Sequence, residues 1–215
     1  MKTNDPKYIH ALNIKTLTPF YDPLLKWVMK EQRFKRRLIE QAAIQSGHQV
    51  LDLGCGTGTL TVMLKQAIPN AQVIGLDGDN DVLVIARDKA EQARAEIRFD
   101  LGLASELPYE DEIFDRVLSS FMIHHLTTKD KHLAFTEVFR VLKRGGEFHV
   151  VDFGKPKTAY AWLVSHFIRQ MERADDNVKG LIPEFLKEAG FTEVSETVSF
   201  STLFGTLTLL KSRKN

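Results

Sequence analysis

QVLDLGCGTGTL, residues Gln49–Leu60, is the stretch that decides the fold. Val50, Leu51 and Leu53 make a short apolar run, the pattern of a buried parallel strand. Gly54, Gly56 and Gly58 then alternate, and Thr59 to Ile68 has helical spacing. The predicted unit is strand, glycine turn, helix. Glycine permits positive φ and lets a ligand lie against bare backbone. The start of the helix turns unpaired N–H groups towards that ligand. The spacing is G-x-G-x-G; a dinucleotide fingerprint would have Gly or Ala where Thr59 stands. Three glycines alone fit a purely structural turn equally well.

Downstream, strands and helices alternate. Gln72 to Leu76 reads as a second strand, ending in Asp77 and Gly78, with Asp79 and a helix from Asp81 to Ala93 behind it. Ile97 to Leu101 is a third strand, Gly102 to Glu112 a loop, and Phe114 to Ser120 a fourth strand. His124, His125 and Leu126 occupy the next turn. Lys129 to Leu142 reads as a helix ended by Arg144-Gly145-Gly146, and Glu147 to Asp152 as a fifth strand. Gly154 to Asp176 is predicted to be a helical insertion, and Pro183 to Ala189 a short helix closed by Gly190. Phe191 to Phe200 and Leu203 to Lys211 pair as a hairpin. The expectation is a Rossmann-like, doubly wound α/β fold: a mostly parallel seven-stranded sheet with one antiparallel strand from the C-terminal hairpin.

Upstream, residues 1–19 are polar, and Leu24 to Ser46 reads as a helix with Phe34, Leu38 and Ala42 as its buried stripe. Lys26, Lys30, Arg33, Lys35, Arg36 and Arg37 make its other side basic. That side is a solvated face or a docking face for an anionic substrate or membrane surface. The chain divides into an N-terminal helical cap (1–46), a cofactor-binding core (47–153), a helical cap insertion (154–190) and the hairpin (191–215).

With 215 residues, 43% of them hydrophobic, the chain buries one substantial core. A net charge of +1 gives no bulk attraction to nucleic acid, and at most peripheral membrane contact is expected. Cys55 is the single cysteine, so no disulfide forms within the chain, in keeping with a reducing compartment. The N-terminus lacks the apolar core of a signal peptide, and the expected location is the cytoplasm.

In an open α/β sheet, ligands bind beyond the carboxyl ends of the strands. The glycine turn, Asp77, the Gly102–Pro108 loop and Ser119 to Leu126 collect there. Asp77, ending the strand after the glycine turn, suits the two hydroxyls of a ribose. The turn has no G-K-[ST], which counts against a nucleoside triphosphate.

VLDLGCGTG, GLDGD, LPYEDEIFDRVLSSFMIHHL and EVFRVLKRGGEFHVVDF together resemble the class I S-adenosylmethionine-dependent methyltransferases. Within them the chain is most similar to the ubiquinone/menaquinone-biosynthesis (methyltransferase type 11-like) branch. The resemblance covers residues 45–155. It implies S-adenosylmethionine as cofactor and S-adenosylhomocysteine as product, with Gly54, Cys55, Gly56 and Gly58 under the methionine and ribose. It also implies that Asp52 helps place the amino group, that Asp77 and Gly78 meet the ribose, and that Ser119, Ser120 and Phe121 line the far side. Asp52 equally suits a cap on the turn, and Cys55 is a small turn residue rather than a nucleophile. Relatives carry Gly-Asp-Ala where this chain has Gly102-Leu103-Ala104. Leu103 against the adenine face, backbone N–H groups near Ala104, or a displaced Asp100 would then serve.

Methyl transfer from a sulfonium needs alignment and exclusion of water, and a base only if the nucleophile arrives protonated. His124 and His125 are candidates for that base, or shape the turn. Asp152 is the alternative base or an orienting group. Tyr21, Tyr160, Trp162 and His166 are candidates for contact with a small or amphipathic acceptor, with packing favoured for Trp162. No metal is expected. A nucleotide-dependent oxidoreductase, disfavoured by Thr59, and a non-catalytic cofactor-binding or assembly protein are the rival readings.

Overall fold

Short apolar strands alternating with amphipathic helices bury their apolar sides by stacking helices on both faces of one sheet. The computed structural model describes residues 31–171, 173–202 and 205–215, with backbone alone over 166–171. In chain order the elements are α1 (Glu31–Ala42), β1 (Gln49–Leu53), α2 (Thr59–Ala67), β2 (Gln72–Asp77), α3 (Asn80–Gln92), β3 (Arg98–Leu101) and β4 (Phe114–Ser120). A 3-10 turn (Ile123–His125), α4 (Thr128–Val141), β5 (Leu142–Phe153), α5 (Ala159–Met171), α6 (Asp175–Lys179), α7 (Ile182–Glu188), β6 (Thr192–Thr202) and β7 (Gly205–Arg213) follow.

The sheet order is β3-β2-β1-β4-β5-β7-β6. β1 to β5 pair in parallel, and β7 runs against both β5 and β6. The expected seven-stranded doubly wound sheet with one antiparallel member is present. The chain moves outward from β1 to β3, then returns to lay β4 on the other side of β1. That reversal opens the crevice beyond the carboxyl ends of β1 and β4.

Side chains alternate across each strand and sort the core into two layers. On one face Phe34, Leu38, Ile39 and Ala42 of α1, with Leu60 and Leu64 of α2, cover Val50, Val73, Leu118, Val151 and Leu209. On the other, Phe135, Val138 and Val141 of α4 and Ile182, Phe185 and Leu186 of α7 cover Leu51, Leu53, Val117, Phe148, Val150 and Leu210. By the same alternation Asp152 joins Phe148 and Val150 on the α4 face. Asp79 caps α3 by accepting from the Asp81 N–H (2.8 Å), and Thr127 caps α4 through the Asp130 N–H (3.1 Å).

Three local expectations are corrected. β5 starts at Leu142, which pairs with Phe114, so Arg144-Gly145-Gly146 lies inside a strand rather than closing a helix. A bulge between Phe114 and Arg116 absorbs the misfit, with Gly145 at φ 76° donating to the Lys214 carbonyl (2.6 Å). The third strand begins at Arg98 rather than Ile97. Lys35 is not on the solvated basic side: it is buried and ion-paired with Glu31 one turn earlier. Residues 1–30, with Tyr21 and the first part of the N-terminal cap, lie outside the described residues, as does the His166 side chain. No helix among the described residues is long and apolar enough to cross a membrane.

Candidate functional site

The three glycines of the turn do different things. All have positive φ: 70° at Gly54, 52° at Gly56 and 73° at Gly58. A Cβ on Gly54 would lie 2.2 Å from Met122 Cγ, and one on Gly58 would lie 2.9 Å from Ala86 Cβ. Those two are glycine because the protein packs onto them. A Cβ on Gly56 would meet nothing within 4 Å. Gly56 alone presents bare backbone to open space, as a ligand cradle requires.

Asp77 holds that cradle from below. Its carboxylate accepts the Gly56 N–H at 2.8 Å and the Asp79 N–H at 3.0 Å. Burial raises its pKa, and these two bonds only partly offset the rise. The Gly78 backbone also donates to this carboxylate, whose two oxygens have about four acceptor sites and so retain room for a hydroxyl. Gly78 lies between Asp77 and the α3 cap. Lys89, which sequence reasoning passed over because it sits 31 residues after Gly58, reaches the turn from α3 and bonds the Thr57 and Thr59 hydroxyls at 3.0 and 2.8 Å.

Asp52 is buried, and its Oδ2 accepts from the Thr61 hydroxyl of α2 at 2.6 Å. That bond is the tie that the capping reading anticipates. Burial pushes its carboxyl up to about 6, against the Thr61 hydrogen bond. Cys55 is buried among Val62, Leu83, Ala86 and Phe99, and burial drives its thiol well above the ordinary value. A thiol held so firmly protonated is a packing residue.

In the next loop, Leu103 is half-buried and bridges to Glu106, while Ala104 packs on the core. Asp100 is engaged elsewhere: its oxygens accept from Arg98 Nε (2.9 Å) and the Tyr109 hydroxyl (3.0 Å). Those two bonds hold Asp100 against its own strand and Tyr109.

After β4, Ser119 is fully buried and donates to the Leu53 carbonyl at 2.9 Å, tying β4 to β1. Its side chain therefore does not line the crevice. Ser120 and Phe121 are half-buried at the strand end. Phe121 has φ 55°, donates to the Val151 carbonyl (3.0 Å) and sets its ring 6.5 Å from that of Phe34.

His124 and Asp152, proposed separately from the sequence, form one unit. His124 Nδ1 lies 2.7 Å from Asp152 Oδ1, and the His124 N–H donates to Oδ2 at 3.2 Å. The Phe153 N–H adds a third bond at 2.7 Å. Burial works to raise the Asp152 carboxyl, but His124 beside it and these hydrogen bonds prevail and hold it below the ordinary value. Both residues are buried, and the His125 ring lies 4.0 Å from that of His124.

Tyr160 and Trp162 on α5 are 52% and 68% exposed, so among the described residues Trp162 does not show the packing expected of it. Thr208, the register partner of Asp152, and Asn177, on the short helix that packs on β5 and the 3-10 turn, are buried polar residues that carry no sequence signal. Among the described residues no cluster of His, Cys, Asp and Glu could hold a metal ion. A groove of about 710 Å³ runs between α1 and β6, lined by Arg33, Arg36, Arg37 and Phe200. It contains none of the strand-end motifs.

The family model described as "Methyltransferase domain" matches residues 50–146. The demethylmenaquinone methyltransferase of Thermus thermophilus is 37% identical over 69% of this chain and 67% of that one. The uncharacterized methyltransferase sll0829 of Synechocystis is 33% identical over 86% of this chain and 84% of that one. Ubiquinone/menaquinone biosynthesis C-methyltransferases of Vibrio vulnificus and Pasteurella multocida are matched over only about half their length, 48% and 46%. Among solved structures, Haemonchus contortus phosphoethanolamine N-methyltransferase 2 in complex with S-adenosyl-L-methionine superposes with a TM-score of 0.76 at 16% identity. It covers 95% of this chain and 58% of that one, a likeness of fold.

Proposed function

This chain belongs to the class I S-adenosylmethionine-dependent methyltransferases, and from that we propose that it methylates a ring carbon of a hydroxylated aromatic of the demethylmenaquinol type. The observation that carries the reading is the buried Asp152–His124 pair at the carboxyl end of β5, the same end of the sheet as the Gly56 turn that follows β1. A pair of this kind is superfluous for an acceptor with a free lone pair. It suits a phenol, whose ring carbon becomes nucleophilic once the hydroxyl proton leaves.

The residues fit the cofactor. Gly56 offers the open backbone, Asp77 the ribose acceptor, and Asp52, through water, a carboxylate for the amino group. Leu103 and the backbone at Ala104 would meet the adenine, and Ser120 and Phe121 would close the far side. When bound, S-adenosylmethionine supplies a methyl group on a positively charged sulfur, so the chain has mainly to align and to exclude water. Because His124 Nδ1 is held by Asp152, Nε2 is the atom left to take the acceptor's proton. Asp152 stays ionised and stabilises the imidazolium that forms. The segment 154–190 would cover the acceptor, and Tyr160 and Trp162 on α5 suit an apolar tail. A reducing cytoplasm fits both the lone, buried Cys55 and a quinol acceptor.

Incubation with methyl-labelled S-adenosylmethionine and reduced 2-prenyl-1,4-dihydroxynaphthalene tests the reading. Label should appear on a ring carbon, with matching release of S-adenosylhomocysteine. Label on oxygen, or none, would overturn the acceptor class.

A further inference from the structure

We propose that Asn177 and Thr208 form the subsite that receives the acceptor's ring oxygen next to the Asp152–His124 pair, an assignment that rests on the function proposed above. The two side chains are 1% and 3% exposed, and Oδ1 and Nδ2 of Asn177 and Oγ1 of Thr208 have no hydrogen-bond partner. Most buried polar side-chain atoms in folded proteins are partnered, so two orphaned residues in one neighbourhood call for a function.

Both lie on elements that meet at the pair. Thr208 on β7 is the register partner of Asp152 on β5, so the two side chains leave the same face of the sheet side by side. Gly154, two residues beyond Asp152, completes that face. A Cβ there would lie 2.1 Å from Thr208 Oγ1, so only glycine leaves the hydroxyl its space. α6 packs on β5 and on the 3-10 turn that carries His124, and Asn177 and Val178 are its buried residues. The helix is pinned there. Lys131 of α4, wholly buried, binds Asp176 and the Arg173 carbonyl, each at 3.0 Å, and the Thr128 hydroxyl donates to Asp176 at 2.8 Å.

The chemistry matches an oxygen that is a hydroxyl in one state and an oxyanion in the next. An amide and a hydroxyl both donate and accept. They hold the neutral phenol, and their donors turn to the oxyanion as its proton passes to His124 Nε2. The O–H bond breaks, the N–H bond forms, and the electron pair stays on the acceptor.

The test uses the whole chain loaded with S-adenosylhomocysteine, with reduced 1,4-dihydroxynaphthalene as probe, in calorimetry and thermal melts. Asn177→Leu and Thr208→Val should bind the probe at least about tenfold more weakly than wild type. Their Tm should stay within about 2 °C or rise, because an orphaned polar group is being removed. Thr208→Ser, which keeps the hydroxyl, should bind within about threefold of wild type. Failure of wild type to bind, equal binding by all variants, or a Thr208→Ser loss as large as that of Thr208→Val overturns the subsite. So does a fall in Tm without a change in binding, the signature of groups bridged by a structural water. Variant-sensitive binding without methyl transfer would leave the subsite standing and remove the proposed reaction instead.

Discussion

β5 contributes to two buried histidine–carboxylate pairs, one in the middle of the strand and one at its carboxyl end, where the histidine comes from the 3-10 turn, and their neighbours differ. In the middle of the strand, His149 Nε2 lies 3.1 Å from Glu147 on the α1 face. Around that pair, Lys211 binds Glu147 at 2.8 Å, Arg116 stands 3.6 Å from it, and Gln41 of α1 meets His149 Nδ1 at 3.2 Å. The hydrogen bond from His149, with help from Lys211 and against burial, holds Glu147 at about 2, and burial lowers His149. At the end of β5, Asp152 lies on the α4 face and meets His124, with orphaned Thr208 as its register partner and orphaned Asn177 on the short helix that packs on this strand. A buried acid–imidazole pair is therefore not in itself a sign of chemistry. Surroundings that satisfy every atom make it a structural rivet, and surroundings with unmet donors and acceptors make it a site.

The comparison breaks most visibly in a crossed mutant experiment. Asp152→Asn should reduce turnover of the labelled-methyl reaction by about 10²–10⁴-fold with a modest change in stability. Glu147→Ala should cost about 1–3 kcal/mol of stability, because the buried His149 Nε2 loses its acceptor and Lys211 its partner, while the folded fraction keeps turnover within about threefold. Initial rates and denaturant melts on both variants read the two axes. Loss of turnover in Glu147→Ala with a normal melt would invert the assignment. The Glu147 contribution has a sign in pH as well. Its folded pKa lies below the unfolded one, so the stability it adds is present above about pH 4.5 and is lost as pH falls towards 2.

A third carboxylate sharpens the contrast, since Asp77 is partnered yet keeps spare lone pairs. Asp77→Ala should weaken S-adenosylhomocysteine binding by about 1.5–3 kcal/mol, roughly 10–150-fold in calorimetry. Unchanged affinity would make Asp77 a brace for the Gly56 N–H and nothing more.

The smallest effect is expected at Asp52. Its folded carboxyl titrates near 6, above its unfolded value, so in the free protein its stabilising contribution is present below about pH 4 and is lost as pH rises through 6. A ligand ammonium prefers the carboxylate. S-adenosylhomocysteine affinity should therefore rise up to about tenfold between pH 5 and 7, and Asp52→Asn should flatten that rise. A profile identical in wild type and variant would remove Asp52 from the cofactor's reach.

Much of this molecule is legible in its sequence because period and punctuation carry it. Val50-Leu51 and the glycines announce β1 and its turn, and Asp77 follows from its place at a strand end. Where the reading failed, the deciding property was three-dimensional. Leu142 reads as the end of a helix because nothing local announces that Phe114 waits across the sheet. Lys35 reads as solvated until Glu31 and the packing of α1 are in place. Ser119 looks like a crevice residue until β1 lies beside it. Asn177 follows two aspartates in a short polar helix, and Thr208 is one threonine in a hairpin. Only burial without a partner distinguishes them, and no spacing rule encodes that. Gly154, unremarked in the sequence, became informative through the hydroxyl that fills its missing side chain.

β7 is the seventh strand along the chain but the sixth across the sheet, wedged between β5 and β6. A nascent protein therefore has its glycine turn, Asp77 and both members of the Asp152–His124 pair in hand well before the strand that brings Thr208. Until then β5 is a raw edge, with Val150 and Asp152 offering unpaired backbone to any passing strand. Synthesis that stalls before Gly205, or a protease that trims Gly205–Arg213, would yield a species able to grip a cofactor, unable to finish its acceptor side, and prone to self-association. A late-arriving strand thus doubles as a quality seal: the strand that carries Thr208 also covers the sticky margin of β5.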